Sequence, residues 1–118
     1  MTQPATARPW AAAYPPGVPA EVTAPLAATL GQLVRDTAAR EGKRIAYTVV
    51  MPNGMYGDLS FADVDRLSDA FAAYLRGPAG LQQGDRVALQ TPNSLTVPVV
   101  AFGVFKAGCV LVNINPLY

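Results

Sequence analysis

Apolar side chains are densest in the last third of the chain, from Gly84 to Tyr118. Arg86 to Gln90 is a short run rich in apolar residues, and Thr91-Pro92-Asn93-Ser94 is a cluster of turn formers. Leu95 to Phe105 is apolar on almost every side. Lys106-Ala107-Gly108 then places a cation in a last helical turn and a glycine where left-handed backbone is favoured. Cys109 to Ile114 is a second β-favouring run. The pattern predicts a βαβ unit with parallel strands and a right-handed crossover. A helix apolar all round, beside strands that scarcely alternate, predicts burial on both faces, as inside a large α/β layer. A lone parallel pair leaves backbone groups unpaired, so the chain is expected to be the first piece of a longer one.

Upstream, Leu26, Leu30, Leu33, Val34 and Thr37/Ala38 recur at helical spacing. Gln32, Arg35, Asp36 and Arg40 lie on the other side, and Glu41-Gly42 is the expected stop. Ile45 to Met51 favours a strand, Pro52-Asn53-Gly54 a tight turn, and Met55 to Leu59 the return, which together predict a hairpin at an edge of the fold. Ser60 is placed to cap the next helix, with Asp63 completing a weak capping box. Phe61, Val64, Leu67, Phe71, Tyr74 and Leu75 mark its apolar face, which ends near Arg76-Gly77. Asp63, Asp65, Arg66 and Asp69 are expected on its solvated side, as surface charges rather than paired catalytic acids. Residues 1–24, rich in Pro and Ala, are expected to form an extended arm whose Trp10 and Tyr14 either pin it to a surface or leave it free.

Composition then removes several functions. The 118 residues suffice for one small domain, and 51% of them are hydrophobic, so the chain is globular in character. Nine Lys and Arg stand against eight Asp and Glu without blocks of either sign, so there is no basic face for nucleic acid. Cys109 lies in an apolar run and the chain has no His, which points to a buried hydrophobe and argues against a nucleophile or a transition-metal site. Prolines interrupt the N-terminal residues, so no signal peptide is expected. Val87 to Phe105 carries no formal charge, but Gln90 to Ser94 and Thr96 break it into pieces too short to span a bilayer. A soluble protein of a reducing compartment is expected, with contact at a membrane surface left open.

Two loops invite a phosphate. Gly77 to Gly84 follows a helix and leads into a strand, the reverse of the context in which helix amides face an anion. Thr91 to Ser94 has the right context but no glycine. There Asn93 or Ser94 is expected to cap the following helix, and a ligand contact from Asn93 is the second reading, because ligands sit beyond the carboxyl ends of parallel strands. Lys43 and Lys106 stand at element ends, where solvent exposure is expected. No catalytic, cofactor-binding or metal-binding residue emerges.

Taken in order, Gly84-Asp85-Arg86-Val87-Ala88-Leu89, Pro92-Asn93, Lys106-Ala107-Gly108 and Val112-Asn113-Ile114-Asn115-Pro116-Leu117-Tyr118 resemble the opening of adenylate-forming enzymes, the acyl-CoA synthetases or AMP-binding ligases. Leu59-Ser60-Phe61 and the run from Leu67 to Leu75 resemble that family's first capped helix. Trp10, Tyr14-Pro15, Val18-Pro19 and Glu21 are similar to the arm that opens bacterial long-chain fatty-acid–CoA ligases. No single string is diagnostic; their order and spacing from Trp10 to Tyr118 are.

The resemblance implies an α/β fold in which residues 25–118 are the first segment of an AMP-binding domain, behind the arm of residues 1–24. It implies a two-step ligase: ATP and a fatty acid give acyl-adenylate and pyrophosphate, and coenzyme A then displaces AMP. Mg²⁺ would offset phosphate charge. The family's phosphate loop, ribose-gripping acid and catalytic lysine lie further along such chains, so none of its catalytic residues maps onto these positions. ATP, coenzyme A and Mg²⁺ are therefore expected of the full-length protein and not of this segment alone. The implied partner is a fatty acid. A cytoplasmic location, peripheral contact with the inner face of a membrane, and a homodimer reached by the arm all agree with the resemblance. Two other readings stand beside it: a short non-catalytic interaction module, and a ligase for an aryl or medium-chain acid, against which the arm argues.

Overall fold

A computed structural model describes residues 9–19, 21, 24 and 26–118. Helix α1 (Leu30–Glu41) leads to an antiparallel hairpin of β1 (Ile45–Val50) and β2 (Tyr56–Ser60), then to α2 (Phe61–Arg76). Strand β3 (Arg86–Leu89), helix α3 (Thr96–Lys106) and strand β4 (Val110–Asn113) follow, with β3 and β4 paired in parallel. The expected hairpin, capped helix and βαβ unit are all present.

Local chemistry sets most boundaries. Thr29 is extended, and its Oγ1 accepts from the Gln32 amide at 3.0 Å. Helix α1 therefore starts a turn later than the leucine spacing predicts, and Leu26 stays outside it, 89% exposed. At the other end Gly42 keeps right-handed backbone (φ −48°), contrary to the usual left-handed glycine stop. Its missing Cβ instead leaves room for the Ala38 carbonyl oxygen, which would lie 2.6 Å from such an atom. In the hairpin turn, the Asn53 side chain accepts from the Met55 amide at 3.1 Å. The capping box on α2 is complete: the Asp63 amide donates to Ser60 Oγ at 3.1 Å, and the Ser60 amide donates back to Asp63 Oδ2 at 3.3 Å. Helix α3 ends as expected, with Gly108 at φ +74°, a conformation that suits glycine.

In the arm, Pro9–Ala13 forms a 3-10 turn, a correction to the expected extended course. Proline's fixed φ is compatible with the first position of a helical turn. Trp10 is 58% exposed and Tyr14 41%. The expectations for residues 1–8 lie outside the described residues.

The core forms where α2 crosses α3. Leu75, Val104, Ala107 and Cys109 are buried there, with Phe71, Val87 and Leu111 packed against them. The approach is close because Ser68, fully buried, and Gly103 meet at the crossing. A Cβ on Gly103 would lie 2.7 Å from Phe71 Cδ1 and 3.1 Å from the Ser68 carbonyl oxygen. Cys109 is, as expected, a small buried hydrophobe. Burial on both faces of the parallel pair is not what the structure shows. Among the described residues α3 packs on it, with Leu75 of α2 and Leu81 in the same cluster, while Val110 (46% exposed) and Val112 (37%) are left exposed. Among those residues no helix is long and apolar enough to cross a membrane.

Candidate functional site

Strands β3 and β4 run in register from Arg86 opposite Val110 to Leu89 opposite Asn113, so they end together. The Ile114 amide donates to the Leu89 carbonyl at 3.0 Å and closes this rim. Beyond it, residues 90–95 turn into α3 and residues 114–118 leave β4. The Gln90 side-chain amide ties the two segments by donating to the carbonyls of Asn115 (3.5 Å) and Tyr118 (3.3 Å). Asn115 Oδ1 in turn accepts from the Leu117 amide at 2.9 Å.

Two hollows adjoin on this rim. One, of about 280 Å³, lies between the strand ends and is lined by Leu89, Thr91, Asn93, Asn113 and Asn115. The other, of about 290 Å³, separates the hairpin from the start of α3 and is lined by Tyr47, Val49, Leu95 and Pro98. Asn93 and Val97 belong to both.

Asn93 does not cap α3, and neither does Ser94. The residue before the helix is Leu95, with helical backbone and no side-chain cap bond; the Ser94 carbonyl accepts from the Val97 amide at 3.2 Å instead. Pro98 in the first turn has no N–H to be capped. Asn93 is thus exposed, with no hydrogen-bond partner among the described residues, at the place where α/β folds bind ligands.

The walls are apolar groups, amides, hydroxyls and one phenol. No carboxylate, ammonium, guanidinium or thiol lines either hollow. The rim can hold a ligand by shape and neutral hydrogen bonds, but supplies neither a proton-transfer group nor a fixed charge for a phosphate. It does not fit a magnesium–triphosphate group, and among the described residues no three His, Cys, Asp or Glu side chains cluster for a metal.

The charges are used elsewhere. Lys106, expected in solvent, is buried: its side chain is 2% exposed and its Nζ donates to Asp65 Oδ1 (2.6 Å), Asp69 Oδ1 (2.8 Å) and the Asp65 carbonyl (2.9 Å). Of the acids expected on the solvated side, Asp65 and Asp69 therefore form an interhelical clamp, Asp69 remaining 53% exposed, while Asp63 pairs with Arg66. Asp65 and Asp69 lie one turn apart on α2, where like charges repel, and the Lys106 ammonium offsets that repulsion. The sequence showed two acids at helical spacing on α2 and a lysine ending an apolar helix 37 and 41 residues later, but no pattern that joins them. Asp63 is held below the ordinary carboxylate range by the Ser60 hydroxyl and then by Arg66.

The arrangement is an α/β segment with a rim at the carboxyl ends of two parallel strands. A family model described as AMP-binding enzyme matches residues 34–118, and the chain belongs to that family. It is 40% identical over 109 residues to the long-chain-fatty-acid–CoA ligase of Yersinia pestis, covering 92% of this chain and 18% of that protein. With the Bacillus subtilis ligase of the same description it shares 40% identity over 114 residues, 94% of this chain and 19% of the relative. Its structure is similar to the fatty acyl-adenylate ligase from L. pneumophila solved with acyl adenylate and pyrophosphate. That match has a TM-score of 0.69 at 27% identity, over 75% of this chain and 15% of the other. The chain thus spans about a fifth of the length of the curated relatives it matches. Its fold is that of the N-terminal part of adenylate-forming enzymes.

Proposed function

We propose that this chain is the opening segment of a long-chain fatty acid–CoA ligase. Residues 1–24 are its arm and residues 25–118 the first layer of its adenylation domain. The whole enzyme joins a fatty acid to ATP, releasing pyrophosphate and forming acyl-AMP; the coenzyme A thiol then attacks the acyl carbon and releases AMP. Mg²⁺, ATP and coenzyme A are bound by the whole enzyme, which works in the cytoplasm. The observation that carries this reading is the 40% identity over 92% of the chain to a ligase of that description. The role of the segment itself is scaffolding: the α2–α3 clamp holds the βαβ unit, and the neutral rim shapes one wall of a binding cleft.

The test is pyrophosphate exchange into ATP by the full-length gene product, with palmitate, octanoate and salicylate compared, followed by mass spectrometry of the thioester. Exchange and thioester formation are expected to be fastest with palmitate. Exchange with salicylate alone, or none with any acid, overturns the proposal. Residues 1–118 expressed alone are expected to show no exchange.

A further inference from the structure

We infer that Asn53 is a self-modifying site, whose side-chain amide condenses with the Gly54 backbone nitrogen, loses ammonia and hydrolyses to a carboxylate. Asn53 and Gly54 are both exposed, in the turn between β1 and β2. The reaction needs the carboxamide carbon close to the next residue's nitrogen, room around that nitrogen, and support for negative charge on the carboxamide oxygen. The turn supplies all of these. Asn53 Oδ1 accepts from the Met55 amide at 3.1 Å, which folds the carboxamide forward over the Gly54 peptide group. Gly54 has no side chain to crowd its nitrogen, and the space beside its Cα is open to 4 Å. As the carbon becomes tetrahedral, its oxygen gains charge, and the same Met55 N–H already donates to it. Asn53 Nδ2 donates to no group among the described residues, so no bond retains the leaving nitrogen.

One bond opposes the step. The Gly54 amide donates to the Met51 carbonyl at 2.9 Å, and this bond opens before hydroxide removes the amide proton, so the rate rises with pH. The Gly54 nitrogen then attacks Asn53 Cγ, the Cγ–Nδ2 bond breaks, and ammonia leaves with a proton from water. Water opens the cyclic imide at either carbonyl and leaves an aspartyl or an isoaspartyl linkage; nothing is oxidised or reduced. From Ile45 to Gly57 the chain carries no charged residue, so the product puts the first charge on this turn. The other asparagines lack the combination. Pro116 has no N–H to attack Asn115 from. Asn113 ends β4 and is followed by β-branched Ile114, whose amide is held by the Leu89 carbonyl at 3.0 Å. Asn93 is exposed, but the side chain of Ser94 crowds the nitrogen that follows it. The inference stands on this turn alone and does not depend on the ligase reading.

The test is prolonged incubation of the freshly prepared full-length gene product in mildly acidic and mildly alkaline buffer. Peptide mapping by mass spectrometry locates the converted residues, and released ammonia is measured alongside. Conversion at Asn53 is expected to run about tenfold ahead of conversion at Asn93 and to be faster in the alkaline buffer. Gly54→Ala is expected to slow it by about the same factor, and Asn53→Gln to abolish modification of the turn. Equal conversion of Asn93 and Asn53 overturns the inference. Conversion of Asn53 only after unfolding in urea also overturns it, because the folded turn would then shield the site. Undiminished conversion of the turn peptide in Asn53→Gln does the same.

Discussion

Lys106 and Asp65 lie 41 residues apart in the chain and meet at 2.6 Å, with the lysine side chain only 2% exposed. This contact ties the last turn of α3 to the middle of α2. The buried ammonium donates to three oxygens, all from residues 65 and 69, so its hydrogen-bonding capacity is filled. An ion buried this deeply persists because its partners meet every donor.

Lys106→Ala should therefore destabilise the α2–α3 unit by about 3 kcal/mol, since Asp65 and Asp69 would then face each other without a cation. Asp69→Asn should cost less than about 1 kcal/mol, because Asp69 is half exposed and Asp65 still holds the lysine. Urea denaturation of the full-length gene product and its two variants checks both values.

The Ser60–Asp63 box makes a pH-dependent contribution. Asp63 is held below its ordinary 3.8, first by the Ser60 hydroxyl bond and then by Arg66. The unfolded chain thus takes up this proton more readily, so the contribution is whole above about pH 4 and disappears as pH falls from 3.8 through the lower folded value. Asp63→Asn should flatten that part of the stability–pH curve. Ser60→Ala should cost about 1 kcal/mol near neutral pH. Thermal melts between pH 2 and 7 distinguish the two effects.

Gly103→Ala tests the helix crossing. Alanine would gain up to about 1 kcal/mol of helix propensity, but its Cβ would press on Phe71 and the Ser68 carbonyl at 2.7 and 3.1 Å. Because one of these atoms is backbone, crowding should win, with a net loss of about 1–2 kcal/mol. Phe71→Leu in the same chain should recover part of it. Circular-dichroism melts of the single and double variants settle the balance.

Asn93→Ala should leave the melting temperature almost unchanged, because this side chain makes no cap bond, whereas loss of a capping asparagine would cost about 1 kcal/mol. If the rim is a binding wall, the same change should lower kcat/KM of the full-length enzyme about three- to tenfold, the value of one neutral hydrogen bond. Steady-state kinetics and a melt on one preparation read both quantities.

The amino-acid sequence by itself determined the elements. Ser60 with Asp63, Asn53-Gly54, Gly108 and the apolar spacing of α2 all act over four residues or fewer, so their signals survive without knowledge of the partners. The order of strings from Gly84 to Tyr118 was enough to place the family. The sequence also led correctly to a buried Cys109 and to the parallel pairing of β3 with β4.

The tertiary structure alone decided the rest. Whether Lys106 meets Asp65 and Asp69 or reaches solvent depends on how α2 and α3 are rotated about their crossing at Ser68 and Gly103, a relation no local pattern carries. Asn93 was expected as a cap because it stands in the right place before a helix. The proline in the first turn and the helical backbone of Leu95 remove that task and leave the amide facing the hollows. Short-range hydrogen bonds are written in the sequence; the charge clamp and the free amide exist only once distant segments are brought together.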